Sequence, residues 1–136
     1  MNKFSFIIGS LFLLTSCSQM GGDIYLSCNY NQTNNTEFYK IGKISGKWTV
    51  SAFNPNTNEY IENNWWAPLP NETVYRGDWS NNITVNVDSD YITIKDDKGF
   101  RDVYKINRST GFIEGYGRTI GTCAKSENQK QNSNKI

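Results

Sequence analysis

Past residue 24 the apolar side chains recur at every second position. Ile24, Leu26, Cys28 and Tyr30 share one face of an extended segment, Trp48, Val50 and Ala52 share another, and Ile83, Val85 and Val87 a third. Strand side chains alternate in direction, whereas helical ones return every three to four residues, so this period selects strands. Further strand-like runs are Glu37 to Ile44, Glu59 to Glu62, Thr73 to Arg76, Tyr91 to Lys95, Phe100 to Asn107, and a Phe112 to Cys123 region that its glycines can divide. Ser45-Gly46, Asn54-Pro55-Asn56, Asp97-Lys98-Gly99 and Ser109-Thr110-Gly111 separate these runs, and Gly or Asn supplies the positive φ of tight hairpins. No segment beyond residue 20 carries a capped helical repeat. The expected fold is all-β, a small antiparallel meander of about seven to nine strands closing into a barrel or sandwich, since closure removes sticky edges.

A length of 136 residues allows one such domain and is too short for two of ordinary size. The β domain is expected over 24–124. Residues 125–136 are polar without apolar period and read as a disordered tail. Before the domain, Ser18 to Asp23 is short, polar and glycine-bearing, which suits a tether.

The chain begins with a different pattern. Lys3 gives a positive start, and Phe4 to Leu14 is an apolar stretch broken only by Ser5, Gly9 and Ser10. A spanning helix needs about 20 apolar residues, so this run is a secretory signal and not an anchor. The residues that follow, Leu14-Thr15-Ser16-Cys17, resemble the lipobox of bacterial lipoproteins. That resemblance implies cleavage after Ser16, a lipidated Cys17 as the new N-terminus over a 17–23 tether, and a membrane-held protein of the cell envelope. Two or three acyl chains hold a protein durably where one does not. Ser18 stands where an Asp favours inner-membrane retention in the family, so the outer membrane is the expected site.

Lipidation also settles the cysteine parity. Of three cysteines, Cys28 and Cys123 remain, and in an exported domain they are expected to be bridged, joining first strand to last. The alternative is two buried reduced thiols. Neither Cys-x-x-Cys spacing nor histidine is present, which argues against redox and metal roles, and no cofactor is implied.

The missing histidine also removes the commonest general base and the Ser-His and Cys-His nucleophile pairs, so no enzyme is expected. Glu59 with Glu62, or Asp88 with Asp90, can form an acid-base pair only at the right separation, and Asp88-Ser89-Asp90 reads more simply as a turn. Removing Lys3 with the signal leaves 13 basic and 13 acidic residues. A neutral chain without a basic run is a poor partner for nucleic acid, and it has no polybasic attraction to membranes.

Candidate ligand contacts gather in one place. Trp65-Trp66-Ala67-Pro68 is followed by Arg76 and Trp79. Successive side chains of an extended segment face opposite sides, so one of the two adjacent indoles turns outward to stack on a sugar ring or anchor a protein interface. In the alternative reading one indole plugs the barrel end and the other packs beneath the loop. The chain is similar in size, export and expected architecture to small barrel lipoproteins that inhibit lysozymes. The sequence therefore points to a membrane-anchored, non-enzymatic binding or envelope role with a protein or glycan ligand. Lysozyme inhibition, a glycan-binding module and a phage-encoded superinfection-exclusion lipoprotein are the specific alternatives.

Overall fold

The computed structural model describes residues 22–68, 77–97 and 103–131. The expected signal, the lipobox with Cys17, the Thr73 to Arg76 run and residues 132–136 lie outside them.

The all-β meander expected from the alternation is present. In chain order the strands are β1 (Ile24–Tyr30), β2 (Thr36–Ile44), β3 (Lys47–Asn54), β4 (Glu59–Glu62), β5 (Trp65–Pro68), β6 (Gly77–Ser80), β7 (Ile83–Val87), β8 (Tyr91–Asp96), β9 (Val103–Asn107), β10 (Phe112–Gly115) and β11 (Arg118–Lys125). Nine of them form one antiparallel sheet in the order β4-β3-β2-β1-β11-β10-β9-β8-β7, while β5 and β6 pair separately. First and last strands thus meet at the centre of the sheet, and its edges are β4 and β7. The sheet curls into a half-barrel in which β3 approaches β7.

Turn chemistry fixes the hairpins. Ser45 and Gly46 both have positive φ, as do Tyr116 and Gly117, which is the type I′ geometry whose twist matches the flanking strands. Between β10 and β11 the register shifts at Ile113/Glu114, and such a bulge bends a strand and increases its twist. Asn107 Oδ1 accepts the backbone N–H groups of Ser109 and Thr110, and Asp88 Oδ1 accepts those of Asp90 and Tyr91, so both turns are closed by side chains.

The inner face is the one the alternation marks. Leu26, Cys28 and Tyr30 lie buried beside Tyr39 and Ile41, Val50 and Ala52, Ile92 and Ile94, Tyr104 and Ile106, with Ile113 and Ile120. Cys28 and Cys123 form the expected disulfide across β1 and β11. The ladder explains why this pair can bridge. Asn31 N–H donates to Ile120 C=O and Ser126 N–H to Tyr25 C=O, which makes alternate pairs hydrogen-bonded and leaves Cys28/Cys123 at a non-hydrogen-bonded pair, where Cα atoms approach most closely.

The small sheet packs on the large one through β5, which contacts β3. Tyr39 Oη donates to the Trp66 carbonyl at 2.6 Å and Tyr30 Oη reaches the same oxygen at 3.0 Å, with the two hydroxyls 2.9 Å apart. Burial raises the pKa of both phenols, so they stay protonated as donors. On the far side Ser80 Oγ donates to Asp96 Oδ1 on β8. The flap is therefore fastened to both halves of the sheet.

Candidate functional site

Strand direction sorts the molecule into two ends. β1 starts where the chain enters at Gly22, and the β2–β3, β7–β8 and β9–β10 turns share that end. The β1–β2, β3–β4 and β10–β11 turns lie at the opposite mouth.

At that mouth a groove of about 1090 Å³ runs past the β3–β4 turn. Cross-strand register places Glu37 opposite Cys28 and Ile61 opposite Ala52, so Glu37, Ala52 and Ile61 line the groove from the inner face. Phe38, Phe53, Gln129 and Gln131 line it as well, while Asn54, Pro55, Asn56 and Asn58 form the turn between. Asn64 and Trp79 complete the lining from the β4–β5 link and from β6.

The C-terminal residues reach this groove without strand structure. Gln129 N–H donates to Tyr60 Oη at 2.9 Å, and Asn58 pairs with the Gln131 backbone through both ends of its amide, at 2.8 and 2.9 Å. Composition alone reads residues 126–131 as a tail, yet these backbone bonds hold them beside the β3–β4 hairpin.

The two adjacent tryptophans are both buried, 1% and 8% exposed. The structure thus follows the alternative reading, one indole a plug and the other covered, and not the outward-facing indole that alternation suggests. β5 is sandwiched, so opposite directions both lead into cover. Trp65 stacks on Tyr39 with centroids 4.5 Å apart and tilts against Tyr104 at 5.5 Å, plugging the half-barrel. Its indole N–H has no hydrogen-bond partner among the described residues, so it serves as a plug. Trp66 packs edge-on to Tyr30 and beneath Trp79, the residue directly opposite it on β6. The exposed indole is Trp79, 48% accessible. Arg76 lies outside the described residues.

The electrostatics of the groove are simple. Among its described lining residues Glu37 is the single ionisable group, half-buried, and desolvation raises its pKa. The side-chain amides of Asn56, Asn64 and Gln131 make no hydrogen bond to other described residues. The sequence reading missed this set. Asn54, Asn56 and Asn58 are legible as turn residues, and Asn54 Oδ1 does close the turn by accepting from Asn56 N–H. Among the described residues no three His, Cys, Asp or Glu side chains gather in a metal-holding group.

Compared with known proteins, the chain matches no family model, no curated protein and no solved structure.

Proposed function

We propose that this chain is the precursor of a bacterial lipoprotein, lipidated at Cys17, whose β domain is a non-enzymatic binding module for neutral glycans of the cell envelope. Its place is the outer membrane. The observation that carries the binding role is the half-exposed Trp79 beside the amides of Asn56, Asn64 and Gln131 in a groove whose described lining holds one ionisable group. An indole face covers the apolar C–H face of a pyranose, amides match hydroxyls as both donor and acceptor, and a lone carboxylate disfavours anionic ligands. Such a surface is apolar and hydrogen-bonding together, as small-ligand sites are. Support for the anchor is the succession of signal-like and lipobox-like segments in the sequence, with the parity that leaves Cys28 and Cys123 as a pair.

Neutral cell-wall oligosaccharides titrated into the protein should change its tryptophan fluorescence, and Trp79→Ala should weaken binding about tenfold. A flat titration across neutral glycans, or undiminished affinity in Trp79→Ala, overturns the reading. The anchor is tested separately by labelled palmitate, which should mark the wild type and not Cys17→Ser.

A further inference from the structure

The opposite end of the half-barrel carries a second surface. Register pairs Ile24 with Ile41, and β2 continues for three residues beyond it before turning at Ser45-Gly46. At about 3.3 Å per residue the hairpin projects roughly 10 Å past the start of β1. The side chain of Asp23 lies against Gly42, so entering chain and hairpin run side by side. At the tip Ile44 is 40% exposed between the exposed Lys43 and Lys47. Behind them the half-buried Trp48 packs one side against the core and carries Lys43 Nζ 5.1 Å above its ring.

We infer that the Lys43–Trp48 hairpin tip is a membrane-contact element that seats the domain on phospholipid headgroups. The inference rests on the lipidation of Cys17 proposed above. Four residues, 18–21, separate that cysteine from Gly22, and the five Cα-to-Cα steps span at most about 17 Å. A lipid at Cys17 therefore holds the projecting tip within reach of the bilayer surface. An aliphatic residue that can enter the headgroup layer, a tryptophan at the interface and two lysines for phosphate are the side chains that favour that zone. Among the described residues the other charged groups at this end include Asp23, Lys125, Glu127, and Asp88 and Asp90 with Arg108, whose guanidinium donates to the Asp88 carbonyl. None of the carboxylates is on the hairpin. The chain has no polybasic run, so free association with membranes is weak. Tethering supplies the missing affinity, because a linked second contact forms at high effective concentration.

Full-length lipidated protein reconstituted in phosphatidylcholine–phosphatidylglycerol vesicles with brominated acyl chains tests this. Tryptophan emission should be quenched. Trp48→Phe should remove most of the quenching, since Trp65 and Trp66 are buried and Trp79 lies toward the other mouth. Ile44→Asp should reduce quenching at least about twofold while the protein stays in the vesicle fraction. Labelled palmitate on the protein together with quenching unchanged in both variants overturns the contact and leaves the anchor standing. Absence of the label overturns the anchor itself, and the contact with it.

Discussion

Where the chain enters, the β2–β3 hairpin presents Ile44 between Lys43 and Lys47, while at the other mouth the β3–β4 turn presents Asn54, Asn56 and Asn58 near Glu37 and Trp79. The two ends are made by the same strands. β2 and β3 run through both, and their inward residues, Tyr39, Ile41, Val50 and Ala52, are spent on the core. Alternation fixes what a strand buries and leaves its turns free to differ. Each end thus acquires its chemistry from a few turn residues and from what lies across them. At the entry end the turn is a bare type I′ hairpin. At the far mouth the β5–β6 flap and the C-terminal residues add an indole and two glutamines.

The largest test of this division strikes the seam that both ends share. The Cys28–Cys123 bridge spans 95 residues at the centre of the sheet, and cross-linking a loop of that length contributes up to about 4.7 kcal/mol in the chain-entropy description. Cys28→Ser with Cys123→Ser should lower Tm by up to roughly 20 °C, read by calorimetry with and without reductant. Glycan affinity and membrane contact should weaken together as the seam loosens. Loss of one with full retention of the other would show that the ends are independent of the sheet between them.

The seam and the inner face were legible because their causes are local. Ile24, Leu26, Cys28 and Tyr30 alternate within seven residues, and Ser45-Gly46 announces its own turn. The flap was not legible. Trp65-Trp66-Ala67-Pro68 is uniformly buried, so it carries no period to read, and its Trp66 carbonyl is satisfied by hydroxyls 27 and 36 residues away. Neither the curl of the sheet nor the approach of β3 to β7 follows from any short pattern. The groove stayed hidden for another reason: asparagine serves turns and ligands with the same amide. Gln129 and Gln131 were indistinguishable from a solvated tail, because what holds them is backbone bonding to Tyr60 and Asn58.

The next tests act on one end only. Trp79→Ala removes a half-exposed indole whose ring contact is Trp66, so it should cost the groove about tenfold in affinity while Tm moves little. Tyr39→Phe deletes the shorter of the two donors to the Trp66 carbonyl and leaves Tyr30 in place. A loss of about 1 kcal/mol in urea unfolding is expected, with weaker glycan binding and unchanged lipid quenching, because the flap supplies Trp79 to the groove and lies away from the hairpin tip. If Tyr39→Phe weakened both functions equally, the flap would belong to the whole sheet and the contrast between ends would fail.

The smallest effects carry the sharpest sign. Glu37, at the groove, has its pKa raised above 4.5 by desolvation, so the folded chain holds that proton more tightly than the unfolded one. Stability from this group is present below the unfolded value and declines as pH rises through the folded one. Asp88, at the entry end, is shifted the other way, below 3.8, by the backbone N–H groups of Tyr91 and Asp90, with Arg108 adding to the effect. Its contribution is present above the unfolded value and is lost as pH falls through the folded one. Melting curves across the acid range should therefore separate the two ends. Glu37→Gln should gain on the wild type as pH climbs past 4.5, and Asp88→Ala should trail it at neutral pH and draw level below 3.8. Both offsets are expected to be no more than a few degrees, since both carboxylates retain contact with water. Parallel trends in the two variants would mean that the groove does not desolvate Glu37.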